Sequence, residues 1–451
     1  STNDMLIANE VKKTIKFDGM GDEIIDFMLA TPEKTGLGKV KIIATSGKHK
    51  AEYEIELNVR SSNPAVTNYN TTAIDAGDTY EHTLDYIGMA GTNELMMEVS
   101  NIPPIDFGRR LKYLLKYPHG CIEQTTSAAF PQLFIGDVVE LKDAVKQTAD
   151  KNIKAAIQRL SSFQISSGGF SYWPGSIQES DWGTSYAGHF LVEAKTKGYK
   201  IPKSLLQGWQ RYQKKTARRW NISGSTHKYE IRQRQILQAY RLFTLALYGE
   251  AEMGAMNRLR ERTDLVSEAK WRLAAAYALA GQKETAVGLV TNISTEVANY
   301  YDSQYSYGSR TRDQAMILEA MVLMDMRSDG VVLLESIAKD LSAQRWMSTQ
   351  TTAYSLIAVA KFTGGKATTD KLSFSYSFNG EDMVKAETGM SVSQVTFETG
   401  EDLQGIVKIE NRTDGIMFAR LINTGLPLPG KEEVMRKNLN VSVEYQTLEG
   451  K

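Results

Sequence analysis

The sequence predicts a multidomain α and β chain in which a ring of helices sits between β segments. Three observations carry that prediction. At 451 residues the chain exceeds what one core organises, its apolar period changes from two to three-and-four and back, and a short helical phrase keeps recurring. A prior of about 150 residues per domain suggests roughly three domains.

The first β segment runs from Met5 to Arg60. Apolar residues alternate through Val11 to Phe17, Ile24 to Leu29, Lys39 to Ala44 and Tyr53 to Val59, punctuated by Gly19, Gly21, Gly36, Gly38 and Gly47. Ser61-Ser62-Asn63-Pro64 reads as a linker. Further short strands are expected around Ala73 to Tyr86 and Glu94 to Ser100, ending at the Pro103-Pro104 breaker.

From about Phe107 to Thr363 the spacing becomes helical, with about a dozen amphipathic segments. The recurring phrase reads Tyr186-Ala187-Gly188-His189-Phe190-Leu191, then Ala239-Tyr240-Arg241-Leu242-Phe243, then Ala275-Ala276-Tyr277-Ala278-Leu279. It returns as Ala315-Met316-Ile317-Leu318 and as Ala353-Tyr354-Ser355-Leu356. A spacing of roughly 35–50 residues is one helical hairpin. Small residues on one face let inner helices approach closely, and neither end reads as a polar cap, so a closed ring is expected. Beyond Gly364-Gly365 strands resume at Leu372 to Phe378, Val392 to Phe397, Gly405 to Glu410 and Met417 to Asn423, with a last piece at Leu439 to Tyr445. Strands on both sides of a helical block suggest insertion into one β domain.

Composition narrows the function classes. Hydrophobic residues make up 42% and charged residues 24%, as in a globular protein, and 53 basic side chains balance 53 acidic ones. That balance lacks the basic footprint of a nucleic-acid binder. No apolar run approaches the roughly 18 residues of a membrane span. The polar start, Ser1-Thr2-Asn3-Asp4, has no signal-peptide pattern and reads as the beginning of a piece of a larger chain. Cys121 is the only cysteine, so disulfides within the chain and Cys-based metal clusters are excluded. If it acts, it acts as a nucleophile or acyl carrier.

The chemistry centres on Tyr117-Pro118-His119-Gly120-Cys121-Ile122-Glu123-Gln124-Thr125-Thr126-Ser127. Gly120 suits a tight turn, and apolar residues at Ile122, Ala129 and Leu133 start a helix with Cys121 in its first turn. Residues three apart share a helix face, which puts the Cys121 sulfur beside the Gln124 carboxamide. A helix amino terminus favours a thiolate. Attack on the Gln124 carbonyl with loss of ammonia would close an internal thioester, an acyl group held in reserve until an amine or hydroxyl takes it. Such a bond needs cover from water. A lone Cys-x-x-Gln is by itself more often a small buried residue beside an ordinary helix start.

The stretch Tyr117-Pro118-x-Gly120-Cys121-Ile122-Glu123-Gln124-Thr125 resembles the thioester motif of bacterial α2-macroglobulins. Ile122 stands where the wider family has glycine, and His119 where bacterial relatives commonly have tyrosine. Gly168-Gly169-Phe170-Ser171-Tyr172-Trp173-Pro174-Gly175 and Trp346-Met347-Ser348-Thr349-Gln350-Thr351-Thr352-Ala353-Tyr354 are similar to stretches of the thioester domain. The resemblance implies a macroglobulin-like β-sandwich, whole or part, over 1–64. It implies a CUB-like β domain over 65–105 and 365–432, with an α/α toroid thioester domain over 106–364 inserted in it. Residues 433–451 would start a further macroglobulin-like domain.

For function, the resemblance implies a protease inhibitor rather than an enzyme. Cys121 and Gln124 would form the thioester, with Glu123 as part of the motif, and lysine amines of target proteases would be acylated after activation. It implies no metal and no cofactor beyond that cross-link. Remaining domains of a parent chain and a periplasmic or envelope location, lipoprotein-anchored, are expected with it. His227, in the polar stretch Ser223 to Lys228, is a candidate acyl acceptor like the histidine of some complement relatives. Tyr172, Trp173, Tyr117 and Met347 are candidates for shielding the bond. His189 reads as a hydrogen-bonded core residue. Two rival classes stand beside this reading: an α/α-toroid hydrolase acting on carbohydrate through acids such as Asp181 and Glu193, and a structural surface module that has lost the bond.

Overall fold

A computed structural model describes residues 1–105, 110, 118–222, 227–302, 306–343, 345–364 and 371–430. Near the start, β1 (Ile7–Ala8) pairs with β2 (Leu29–Ala30), and β3 (Gly36–Ser46) forms an antiparallel ribbon with β4 (His49–Val59). Ser46 faces His49, so Gly47 and Lys48 make the turn, and Gly47 takes a φ of +55° that glycine enters without strain. The strands expected at Val11 to Phe17 and Ile24 to Leu29 do not form, apart from Leu29 itself. Alternation makes a strand only when one face can be buried, and Val11, Ile24 and Met28 stay exposed. The ribbon is also exposed on most of both faces.

The insertion expected from the change of period is present. Strands β5 (Val66–Ile74), β6 (Thr79–Asp85) and β7 (Glu94–Ser100) precede the helices. Strands β8 (Leu372–Phe378), β9 (Val384–Thr388), β10 (Val392–Phe397), β11 (Gln404–Asn411) and β12 (Met417–Gly425) follow them. They build two four-stranded sheets, ordered β10-β7-β12-β5 and β6-β11-β8-β9, each mixing strands from both sides of the insertion. Leu421 on β12 sits opposite Met97 on one side and Asn70 on the other. Leu95, Met97, Val99 and Leu421 of one sheet share a core with Phe374, Val407 and Ile409 of the other. Burying each such side chain stabilises by roughly 1.5–3 kcal/mol. The piece expected at Leu439 to Tyr445 lies outside the described residues.

Among the described residues the helical domain has eleven α-helices. Six line its inside: α1 (Ile122–Ala129), α3 (Asp181–Thr196), α5 (Lys228–Leu247), α7 (Ser267–Leu279), α9 (Arg310–Leu323) and α11 (Thr349–Gly364). Between them run α2 (Asp143–Leu160), α4 (Lys203–Arg219), α6 (Met253–Arg260), α8 (Lys283–Val290) and α10 (Arg327–Ser342). The inner helices pack in order α1, α3, α5, α7, α9 and α11, and α11 returns to α1, which closes the ring. The five recurring phrases fall on α3, α5, α7, α9 and α11, the buried inner set. Glycine serves this packing directly: a Cβ on Gly188 would lie 2.0 Å from the Trp209 indole nitrogen, so only glycine admits that ring from α4. The helical domain meets the β domain where the Val392 amide donates to the Val138 carbonyl at 3.1 Å.

Candidate functional site

Pro118, His119 and Gly120 bring the chain to the start of α1, with Gly120 at φ +86°. Cys121 is the residue that caps this helix: its backbone is extended, and its side chain accepts from the Gln124 backbone N–H. In return the Gln124 Oε1 accepts from the Cys121 backbone N–H at 3.3 Å. This reciprocal capping folds the Gln124 side chain back over the turn, onto the backbone N–H of Cys121. Gly120 is required twice. Its φ disfavours a side chain, and a Cβ there would stand 2.0 Å from Gln124 Oε1. Arg159 on α2 pins the turn by donating to the Gly120 carbonyl at 2.9 Å and to the Thr125 hydroxyl at 3.3 Å.

Burial separates Cys121 from Gln124. Cys121 is 2% exposed, whereas the Gln124 side chain opens to solvent. The loop between α2 and α3 packs against this turn. The Tyr172 carbonyl accepts from the Ile122 N–H at 3.1 Å. Burial first, then the neighbouring Cys121 and Tyr307, raise the Tyr172 phenol well above its ordinary range. Tyr307 stacks on Tyr172 at 5.8 Å, and Trp173 meets the same ring edge-on at 5.7 Å while staying 53% exposed. A cleft of about 520 Å³ opens beside this group, lined in part by Ile122, Tyr172, Asp181 and Tyr307.

Glu123 does more than stabilise its own helix start. It is buried and accepts from Ser127 at 2.8 Å and from Thr349, at the first turn of α11, at 2.9 and 3.1 Å. Burial pushes its carboxyl up, against the opposing pull of Ser127, Thr349 and the Gln350 backbone N–H. The carboxylate thus ties α1 to the amino terminus of α11, a second helix dipole rather than its own. Ser127 also lies 3.1 Å from the Tyr186 hydroxyl.

Behind this, the tyrosines of the repeats converge. Tyr186 stacks on Tyr354 at 5.3 Å, and Tyr354 hydrogen-bonds Tyr240. His189 Nδ1 faces Tyr240 and Tyr354 at 3.1 and 3.3 Å, the core role expected of it. Its Nε2 lies 3.5 Å from both Glu193 and Glu319. Ligand atoms of those three residues fall within 4.8 Å of one another, a spacing that could hold an ion. The Lys361 ammonium already stands there, bonded to Glu193 and, at 2.8 Å, to Glu319, and Arg272 meets Glu319 at 2.6 Å. Two buried carboxylates are therefore matched by two buried cations. Burial would raise Glu193, but Lys361 and His189 outweigh it and pull the carboxyl down to about 2. Such a group is no general acid, and Asp181 is bound by Arg241 at 2.9 Å and Tyr212 at 3.1 Å. These partners weigh against glycoside chemistry, which needs a carboxylic acid kept protonated.

The remaining candidates fall in different places. His227 is exposed, its carbonyl opening α5 by accepting from Ile231 at 3.0 Å, one turn before Glu230 of the cleft wall. Met347 is buried in the helical core beside the start of α11. Tyr117 lies outside the described residues. His119 is exposed, and its carbonyl is 3.5 Å from the Thr125 hydroxyl. Sequence reasoning missed Arg159 and the role of Tyr307. Tyr307 had a signal in the aromatic run from Tyr300, and Thr349 lay within the stretch Trp346 to Tyr354.

Residues 93–221 match the family model described as the A-macroglobulin TED domain. The chain is 27% identical over 312 residues to alpha-2-macroglobulin of Escherichia coli K12, covering 65% of this chain and 19% of that protein. It spans about a fifth of the length of the curated relatives it matches. Among solved structures, native Escherichia coli alpha-2-macroglobulin from domain MG7 to the C-terminus matches with a TM-score of 0.62 at 20% identity, covering 95% of this chain and 68% of that one. The Salmonella protein reacted with methylamine matches with 0.65 at 20% identity, covering 96% and 29%. Trypsin-activated Escherichia coli alpha-2-macroglobulin matches with 0.52 at 20% identity, covering 95% and 30%. At that identity the structures establish the fold alone. Residues 93–221 thus match an A-macroglobulin TED domain, and in motif, sequence relatives and architecture the chain resembles bacterial alpha-2-macroglobulins.

Proposed function

We propose that Cys121 and Gln124 form an internal thioester and that the chain is the covalent trapping part of a protease inhibitor. The observation that carries this reading is the reciprocal capping at the start of α1: Gln124 Oε1 accepts from the Cys121 backbone N–H, and the Cys121 side chain accepts from the Gln124 backbone N–H. In bond formation the sulfur attacks the Gln124 carbonyl carbon, the carbon–nitrogen bond breaks and ammonia leaves. In trapping, a lysine amine of a protease attacks the same carbon, the carbon–sulfur bond breaks and Cys121 is released as a thiol. The exposed carboxamide gives the amine an approach, while the buried sulfur is kept from solvent. The trypsin-activated relative supports a protease as the trigger. The β domain around the toroid is read as CUB-like, and the full parent as an envelope protein anchored through a lipid; these follow from the family resemblance. No helix among the described residues is long and apolar enough to cross a membrane.

Intact mass before and after methylamine tests the proposal. The untreated chain should contain a species lighter than its sequence by one ammonia, methylamine should abolish that species and free one thiol, and Cys121→Ala should remove both changes. A chain of full sequence mass whose thiol titrates from the moment of synthesis would sink the reading.

A further inference from the structure

Arg159, in the last turn of α2, gives its guanidinium to two neutral oxygens and, among the described residues, to no carboxylate. Arg241, Arg272 and Arg312 by contrast each meet an acid. The Arg159 Nη2 donates to the Gly120 carbonyl at 2.9 Å and its Nε to the buried Thr125 hydroxyl at 3.3 Å, so one planar group is fixed at two points. Its central carbon lies 5.6 Å from the centre of the Phe163 ring. The Gly120 carbonyl and the Cys121 N–H belong to one planar trans peptide and point to opposite sides of it. On one side stands Arg159. On the other, the Cys121 N–H donates to Gln124 Oε1 at 3.3 Å. Guanidinium, peptide and acyl oxygen therefore form one chain. A donor on a peptide carbonyl polarises the N–H of the same peptide, and hydrogen bonds linked in this way strengthen one another by about 10–30% each.

We propose that Arg159 is a positioning residue for the thioester chemistry: through the Gly120–Cys121 peptide it aims and strengthens the N–H that receives negative charge on Gln124 Oε1. This rests on the thioester reading above. In closure the Cys121 sulfur adds to the Gln124 carbonyl carbon, and the carbon–oxygen π pair moves to Oε1. As that pair returns, the carbon–nitrogen bond breaks and ammonia leaves with the thiol proton. In opening, an amine adds to the same carbon and the pair moves to Oε1 again. On its return the carbon–sulfur bond breaks, the bonding pair leaves on sulfur, and the proton shed by the amine reaches sulfur through solvent. Both steps pass through a charged Oε1, the one atom of the carboxamide that keeps its place throughout. The Cys121 N–H touches that reacting atom, and Arg159 acts through the peptide that carries it. A donor held ready at this oxygen counts most where charge develops, so the effect of the arginine falls on rate.

Thioester-bearing full chain, wild type, Arg159→Gln and Arg159→Lys, would be mixed with methylamine, and thiol release followed per molecule carrying the bond. Removing an oxyanion donor outright costs about a hundredfold to a thousandfold in rate. Arg159 only sharpens such a donor, so release in Arg159→Gln should slow by about threefold to tenfold. Arg159→Lys keeps the charge without the planar fork and should recover part of that loss. Infrared spectra of chain carrying an isotope-labelled glutamine carbonyl give a second readout. The thioester carbonyl band should rise in frequency in Arg159→Gln, as the hydrogen bond to its oxygen weakens, and fall part of the way back in Arg159→Lys. An arginine that only pins the turn lowers the yield of the bond and leaves both readouts unchanged in the molecules that have it. Release at the wild-type rate or faster in Arg159→Gln, or an unshifted band, therefore overturns the proposal. If Arg159→Gln carries no bond, Arg159→Lys decides against wild type by the same two readouts. Loss of the bond from both variants also overturns it, because the arginine would then build the turn and not tune the reaction. A wild-type chain with no ammonia-light species and no released thiol would instead defeat the thioester reading itself.

Discussion

Gln124 Oε1 accepts from the Cys121 backbone N–H at 3.3 Å while the Gln124 backbone N–H donates to the Cys121 side chain. The two residues therefore hold each other at the first turn of α1. On the proposed thioester, helix capping and bond formation draw on one arrangement, so changes around it should separate yield of the bond from stability of the fold.

Gly120→Ala is the sharpest change at the turn. The left-handed φ of +86° costs a side chain about 1–2 kcal/mol, and the added Cβ would collide with Gln124 Oε1 at 2.0 Å. The expected result is a folded protein with little or no ammonia-light species by intact mass. Wild-type yield in this variant would show that the Gln124 carboxamide forms the bond from some other position.

Arg159→Ala removes the donor to the Gly120 carbonyl and the Thr125 hydroxyl. Hydrogen bonds from a charged donor are worth about 1.5–3 kcal/mol, so the unfolding free energy should fall by about that much in denaturant titration. Bond yield should fall with it, because the turn before Cys121 loses its anchor. A stability loss with full yield would separate the anchor from the chemistry.

Glu123→Gln tests the tie between α1 and α11 through pH. Burial raises the Glu123 carboxyl above its ordinary value of 4.5, so the folded state keeps its proton to higher pH than the unfolded chain does. Wild-type stability should then decline relative to the variant as pH rises through the window just above 4.5. Thermal melts from pH 4 to pH 7 check this, and parallel pH curves would contradict it.

Lys361→Met leaves Glu193 and Glu319 facing each other with only Arg272 and His189 nearby. Removing one partner of a buried ion cluster costs about 3–5 kcal/mol, measurable as a lowered urea midpoint. The pH dependence follows from the sign of the shift. With Glu193 drawn down to about 2, its contribution is present above 4.5 and is lost as pH falls toward 2. That acid-labile component should shrink in the variant. Wild-type behaviour would mean that water supplies the missing charge balance.

Much of the architecture was legible because it is periodic. The phrase around Tyr186 recurs at Tyr240 and Tyr354, and the helices that carry it are inner helices of the closed ring. Strand prediction failed where alternation found no second layer, as at Val11 and Ile24. At the site, the Cys121–Gln124 meeting and the need for Gly120 were readable from a spacing of three and one glycine. Arg159 was not, because nothing in a helix-length pattern says which arginine turns toward a loop 39 residues earlier. His227 is singled out by its position in the chain alone, and the structure places it as an exposed residue opening α5.

By itself the sequence determined what depends on near neighbours: the turn at Gly120, the helix start at Cys121 and the return of Gln124 one turn later. These are contacts between residues a few positions apart, and local backbone geometry decides them. Only the tertiary structure decided that Glu123 would be buried against Thr349, 226 residues away, and that Tyr307 would stack on Tyr172 at the start of α1. Those pairs meet because the last inner helix packs back on the first, and ring closure is a property of the whole set of buried faces.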